Sequence, residues 1–65
     1  MDKDKLLTER EAAKYLGIEL RTLAAWRQRG DGPVAVILGP KTVRYRSADI
    51  IAFVDSRIKP QDGED

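Results

Sequence analysis

A small, mostly α-helical fold with a single β-hairpin, ordered α–turn–α–hairpin–α, is what this sequence predicts. Three observations carry that expectation. Two helical segments each stop at a glycine, two β-branched segments flank Gly39-Pro40-Lys41, and a new apolar stripe begins just after Ser47.

The first helix starts at Thr8-Glu9-Arg10-Glu11. There Thr8 can cap the amide three residues on while Glu11 reaches back to the amide of Thr8, the reciprocal pattern of a capping box. Leu7, just before the cap, is placed to close a hydrophobic staple. Ala12, Ala13 and Leu16 share one face, and Gly17 ends the helix, since a left-handed residue costs glycine least. After a short turn through Ile18 and Glu19, a second helix runs from about Leu20 to Arg29 and ends at Gly30. At the helical period Leu23 and Trp26 define its inward face, with Arg21, Ala24, Ala25 and Gln28 opposite. Arg27 falls on the flank, where its stem can cover apolar surface and leave its head wet.

Asp31-Gly32-Pro33 breaks the helical pattern. Val34–Leu38 and Thr42–Arg46 then read as two strands joined by a three-residue loop. In the second strand Val43 and Tyr45 point one way, and Thr42, Arg44 and Arg46 point the other. Ser47 is the expected N-cap of a third helix, with Asp49 in its first turn. Its inward stripe is Ile50, Phe53 and Val54, and Arg57 suits its C-terminal end. The expected organisation is a flexible segment over 1–5, a folded domain over 6–58 and an acidic, disordered tail over 59–65.

Composition removes several function classes. The 65 residues hold neither cysteine nor histidine, so disulfides, thiolate metal clusters and the commonest general base are all missing. Glu9 and Glu11 lie two apart, on different sides of a helix, and form no acid–base pair. The expectation is a chain that is not an enzyme and takes no cofactor, metal or small-molecule ligand. No apolar run reaches the length of a membrane span, and the N-terminus leads into no signal-peptide core. The location expected is the cytoplasm of a bacterium or of a phage-infected cell.

The net charge of +1 conceals a partition. Residues 20–46 carry Arg21, Arg27, Arg29, Lys41, Arg44 and Arg46 against Asp31 alone, a net of +5, whereas residues 58–65 carry a net of −2. Charge gathered on one helix and one hairpin is the footprint of a polyanion partner.

The spacing Ala13, Gly17, Leu23, Trp26 completes the reading. Two helices crossing steeply need a small residue where their backbones approach, a glycine at the turn, and bulky apolar residues packing back. Leu16 and Ile18 flank that glycine as core. With a two-stranded wing and a C-terminal helix, the expected fold is a winged helix-turn-helix, the alternative from this spacing alone being an ordinary helical hairpin in some other small α domain. The expected core is Ala13, Leu16, Gly17, Ile18, Leu23, Trp26, Val43, Tyr45, Ile50, Phe53 and Val54.

The ordered set Leu6–Ile18, Thr22-Leu23, Trp26-Arg27, Gly30, Gly32-Pro33, Leu38-Gly39, Val43-Arg44-Tyr45 and Ser47–Ile50 resembles the excisionase and AlpA-like regulator family, within the MerR-like winged-helix group. The resemblance covers residues 6 to about 57 and implies a double-stranded DNA-binding protein of a phage or mobile element. It implies that the second helix enters the major groove while the wing grips adjacent backbone or minor groove. Arg21, Thr22, Ala24, Ala25, Gln28 and Arg29 would then face DNA from the helix, Arg27 from its flank, and Lys41, Thr42, Arg44 and Arg46 from the wing. Six cationic contacts would give a log–log salt slope on the order of −5.

The chain departs from the family pattern at three places. Glu19 stands where Ser or Thr commonly caps the second helix, Ala24-Ala25 replace a larger aromatic and a basic residue, and Ile37 replaces a polar one. Two alanines offer only apolar contact with thymine methyls, so base readout falls on few side chains. The expected role is an excisionase, or recombination directionality factor, that binds repeated sites cooperatively, bends DNA and biases an integrase toward excision. The alternatives are an AlpA-like transcriptional regulator and a protein-interaction module that has lost DNA binding. Ile37, Ile51 and Ile58 are the residues expected to touch a neighbouring copy or an integrase if they are not core.

Overall fold

The computed structural model describes residues 5–58. Within them the elements run β1 (Leu6–Thr8), α1 (Glu9–Leu16), α2 (Leu20–Arg29), β2 (Val36–Gly39), β3 (Thr42–Arg46) and α3 (Ser47–Ser56). The three helices and the hairpin fall in the expected order. The expected tail over 59–65 and positions 1–4 lie outside the described residues.

Local chemistry explains the helix ends. The Glu11 amide donates to Thr8 Oγ1 at 3.0 Å, and the Thr8 amide donates to Glu11 Oε1 at 2.9 Å, closing the capping box. That backbone donor holds the Glu11 carboxyl below its ordinary range. Gly17 and Gly30 end their helices at φ 73° and 77°, a conformation in which a Cβ would be strained. Nothing lies within 4 Å of a Cβ built on Gly17. Its place in the expected core is therefore corrected: Gly17 is exposed and is needed for its backbone angle, not for space.

The expected two-stranded wing is present as β2 and β3, and β1 joins it on the other edge of β3 to give a three-stranded antiparallel sheet in the order β1-β3-β2. Leu6, Leu7 and Thr8 pair with Arg46, Tyr45 and Arg44. Three residues abutting a helix cap carry no turn signal of their own, so only the partner strand reveals β1. Alternation then puts Leu7 and Tyr45, 5% and 0% exposed, on the core face. The hairpin also differs in detail from the expected one. Its first strand begins at Val36, two residues later than expected. A register shift lies between Ile37 and Gly39, and Gly39 rejoins the ladder opposite Thr42, leaving Pro40-Lys41 as the turn.

Ser47 is not the N-cap of α3 but its first residue, fully buried, after Arg46 at the cap. Its hydroxyl is used elsewhere. Both the amide and Oγ of Ser47 donate to the Lys5 carbonyl at 2.9 Å. Lys5, assigned by the sequence to a flexible N-terminal segment, is therefore tied to the start of the last helix.

The core is Leu7, Ala12, Ala13, Leu23, Tyr45 and Ile50, with Leu16, Ile18, Trp26, Ala35 and Val43 packed against it. Phe53 is half-buried, its ring 5.9 Å from that of Trp26. Arg57 lies over the Phe53 ring, 4.7 Å from its centroid, and donates to the Asp31 carbonyl. Val54 is corrected from core to surface at 38% exposed, because the three-stranded sheet buries Ile50 and leaves the far turns of α3 uncovered. No described helix is long and apolar enough to cross a membrane.

Candidate nucleic-acid interface

Helix α2 turns Leu23 fully inward and leaves Arg21 and Gln28 exposed, with Thr22, Ala24 and Ala25 half-buried around them. At its start Glu19 makes no side-chain cap bond. The Thr22 and Leu23 amides both donate to the Glu19 carbonyl, so the amides of Leu20 and Arg21 remain at the open, electropositive end of the helix.

The wing approaches α2 across a cleft of about 400 Å³, lined by Glu9, Arg27, Pro40, Lys41, Val43 and Arg44. One helix cation, Arg27, and two hairpin cations, Lys41 and Arg44, therefore border one depression. Lys41 is exposed at the turn, and half-buried Arg44 donates from Nη1 to the Val43 carbonyl at 2.9 Å. Thr42 is half-buried beside them.

Three arginines expected to meet DNA are already engaged within the chain. Arg29 pairs with Asp31 at 2.9 Å, Arg46 with Asp49 at 2.7 Å and Arg27 with Glu9 at 2.8 Å. The first two pairs expose more than half of the arginine and are readily traded for another anion. The third is different. Arg27 and Glu9 are only 25% and 18% exposed, and the Tyr45 hydroxyl donates to the same carboxylate oxygen, Glu9 Oε2, at 3.1 Å. Of the six cations between residues 20 and 46, Arg21, Lys41 and Arg44 have no carboxylate partner among the described residues.

Glu9 is the site residue that sequence reasoning missed. It lies 18 positions from Arg27 and 36 from Tyr45, and no local pattern links the three. The one available hint was a flank arginine with no helical carboxylate at a neighbouring turn. Burial, and next the Glu9 carboxylate, push the Tyr45 phenol up to about 12. An unfolded tyrosine titrates near 10, so this contribution to stability is complete below about pH 10 and is lost as pH rises through about 12. Stability should therefore fall by on the order of 2–3 kcal/mol over that window, as followed by denaturant unfolding at each pH. Tyr45→Phe should lack that component, and equal alkaline losses in both proteins would contradict the assignment.

Of the residues expected to meet a protein partner, Ile37 and Ile58 are 60% and 67% exposed, while Ile51 is half-buried on α3. Val34, ahead of the hairpin, and Leu38 in β2 are also exposed, at 64% and 59%.

A family model described as a helix-turn-helix domain matches residues 6–58. No curated protein matches the chain.

Proposed function

The chain belongs to the helix-turn-helix domain family, which implies DNA binding, and from that premise we propose that it is an excisionase that acts by binding and bending DNA, not by catalysis. The observation that supports this reading most is the cleft that sets Lys41 and Arg44 of the hairpin beside α2. In this reading Arg21 and Gln28 reach base edges in the major groove, and Lys41 and Arg44 take phosphates of the adjacent backbone or enter a narrowed minor groove. With three cations lacking a carboxylate partner in place of six, the salt slope contributed by this surface is about −3.

Few base-reading side chains leave specificity to cooperative assembly and to DNA deformability. The exposed Val34, Ile37 and Leu38 support contacts between copies seated on neighbouring sites, or with an integrase. Cytoplasmic location, in a bacterium or a phage-infected cell, belongs to the same proposal.

The decisive experiment measures bending of an attachment-region duplex and the direction of recombination with the partner integrase. A bend together with more excision is expected. Site-specific occupancy with neither effect would replace this role with that of a transcriptional regulator. Within the DNA complex, Arg44→Ala should weaken binding to all sequences and make the salt slope shallower by about 0.9. Arg21→Ala should instead reduce discrimination by about 1–3 kcal/mol for each base edge it no longer reads. Identical behaviour of the two variants in competition titrations would overturn the groove assignment.

A further inference from the structure

We propose that Glu9 limits how tightly this surface holds duplex DNA, because it keeps Arg27 as an internal strut and not as a phosphate ligand. The inference rests on the DNA-binding reading above and deepens it.

Both Glu9 oxygens are turned to Arg27. Oε2 accepts from Nε at 2.8 Å and Oε1 from Nη2 at 3.4 Å. The Tyr45 hydroxyl completes the set on Oε2. One carboxylate thus joins the first turn of α1, the flank of α2 and the central strand β3. That junction ties α2 to the strand that carries Arg44.

The same carboxylate lines the cleft with Lys41 and Arg44. A negative charge there repels a phosphate seated between the two cations, and it cancels the third cation of the cleft. The pair is also a modest source of stability. Partly exposed ion pairs contribute little after desolvation and ordering are counted, so its larger effect falls on charge and geometry at the cleft. Glu9 is therefore a positioning residue that acts through Arg27 and Tyr45.

Glutamine is the informative replacement: its one carbonyl oxygen can still accept from the Tyr45 hydroxyl, but its amide nitrogen cannot accept from Arg27 Nη2 and no charge then holds the guanidinium against a phosphate. The probe is a 20-base-pair duplex of mixed sequence, titrated between 50 and 200 mM KCl. Glu9→Gln should bind about fivefold to tenfold more tightly near 100 mM salt, with a slope steeper by about 0.9, as one added phosphate ligand requires. Glu9→Gln combined with Arg27→Gln should return to the slope of the unaltered chain. A Glu9→Gln slope equal to or shallower than that of the unaltered chain overturns the proposal, as does a double variant as steep as the single one. A readout without substitution is the Arg27 Nε–H resonance of the unaltered protein. It should keep its position when duplex is added, and a shift comparable to that of Arg44 overturns the proposal. Absence of salt-sensitive binding by the unaltered chain overturns the DNA-binding reading and this proposal with it. Binding by the unaltered chain with no increase in Glu9→Gln overturns the proposal alone.

Discussion

Leu23→Ala should leave the domain largely unfolded at ordinary growth temperatures. Leu23 is fully buried and shares one cluster with Leu7, Ala12, Ala13, Tyr45 and Ile50. It is the only residue of α2 that is fully covered, so it is the main anchor of that helix on the rest. Removing such a leucine costs about 2–5 kcal/mol, because the cavity collapses only in part. Stability of roughly 0.05–0.15 kcal/mol per residue gives a chain of this size about 3–10 kcal/mol in total. A melting temperature lower by at least about 15 °C is expected from thermal unfolding followed by circular dichroism. Val54→Ala, on the open side of α3, should shift it far less. Equal shifts for the two variants would mean that α2 is not held by the face assigned to it.

The largest effect on binding should come from reversing both wing cations, Lys41→Glu with Arg44→Glu. Neither residue forms an ion pair among the described residues, so the change leaves no described carboxylate unpartnered and the fold should persist. Removing two phosphate ligands reduces affinity roughly 50-fold near 0.1 M salt, before any added repulsion is counted. The slope should fall from about −3 to about −1. Binding isotherms at several salt concentrations measure both quantities. A reversed wing that binds as tightly as the unaltered chain would remove the hairpin from the interface.

What could be read from the sequence divides by range. Thr8 with Glu11, Gly17 and Gly30 are local signals, each decided within one helical turn, and the structure places them as their spacing indicates. The inward positions of Leu23 and Tyr45 follow from periodicity alone. The misses are mostly pairings at a distance. Ser47 looks like an N-cap until a carbonyl 42 residues earlier claims its hydroxyl. Leu6–Thr8 become a strand only because β3 offers an open edge. Arg27, Arg29 and Arg46 look like ligands for a polyanion until Glu9, Asp31 and Asp49 are seen beside them. Charge counted along a chain gives the sign of a surface, and only the fold shows which charges are already answered.

The central position of β3 has a consequence for how the polypeptide matures. The earliest strand pairs with one of the latest, so Leu7 waits for Tyr45 and Lys5 waits for Ser47. A nascent chain that has emerged only as far as Gly30 holds two helices without Tyr45 and Ile50, which complete their core. Loop closure over roughly forty residues must then precede consolidation, which slows acquisition of the native state relative to an all-local helical bundle. The domain is therefore a single cooperative unit. A fragment that ends before the hairpin should have no stable form of its own, and synthesis must run into the last helix before protection from proteolysis begins.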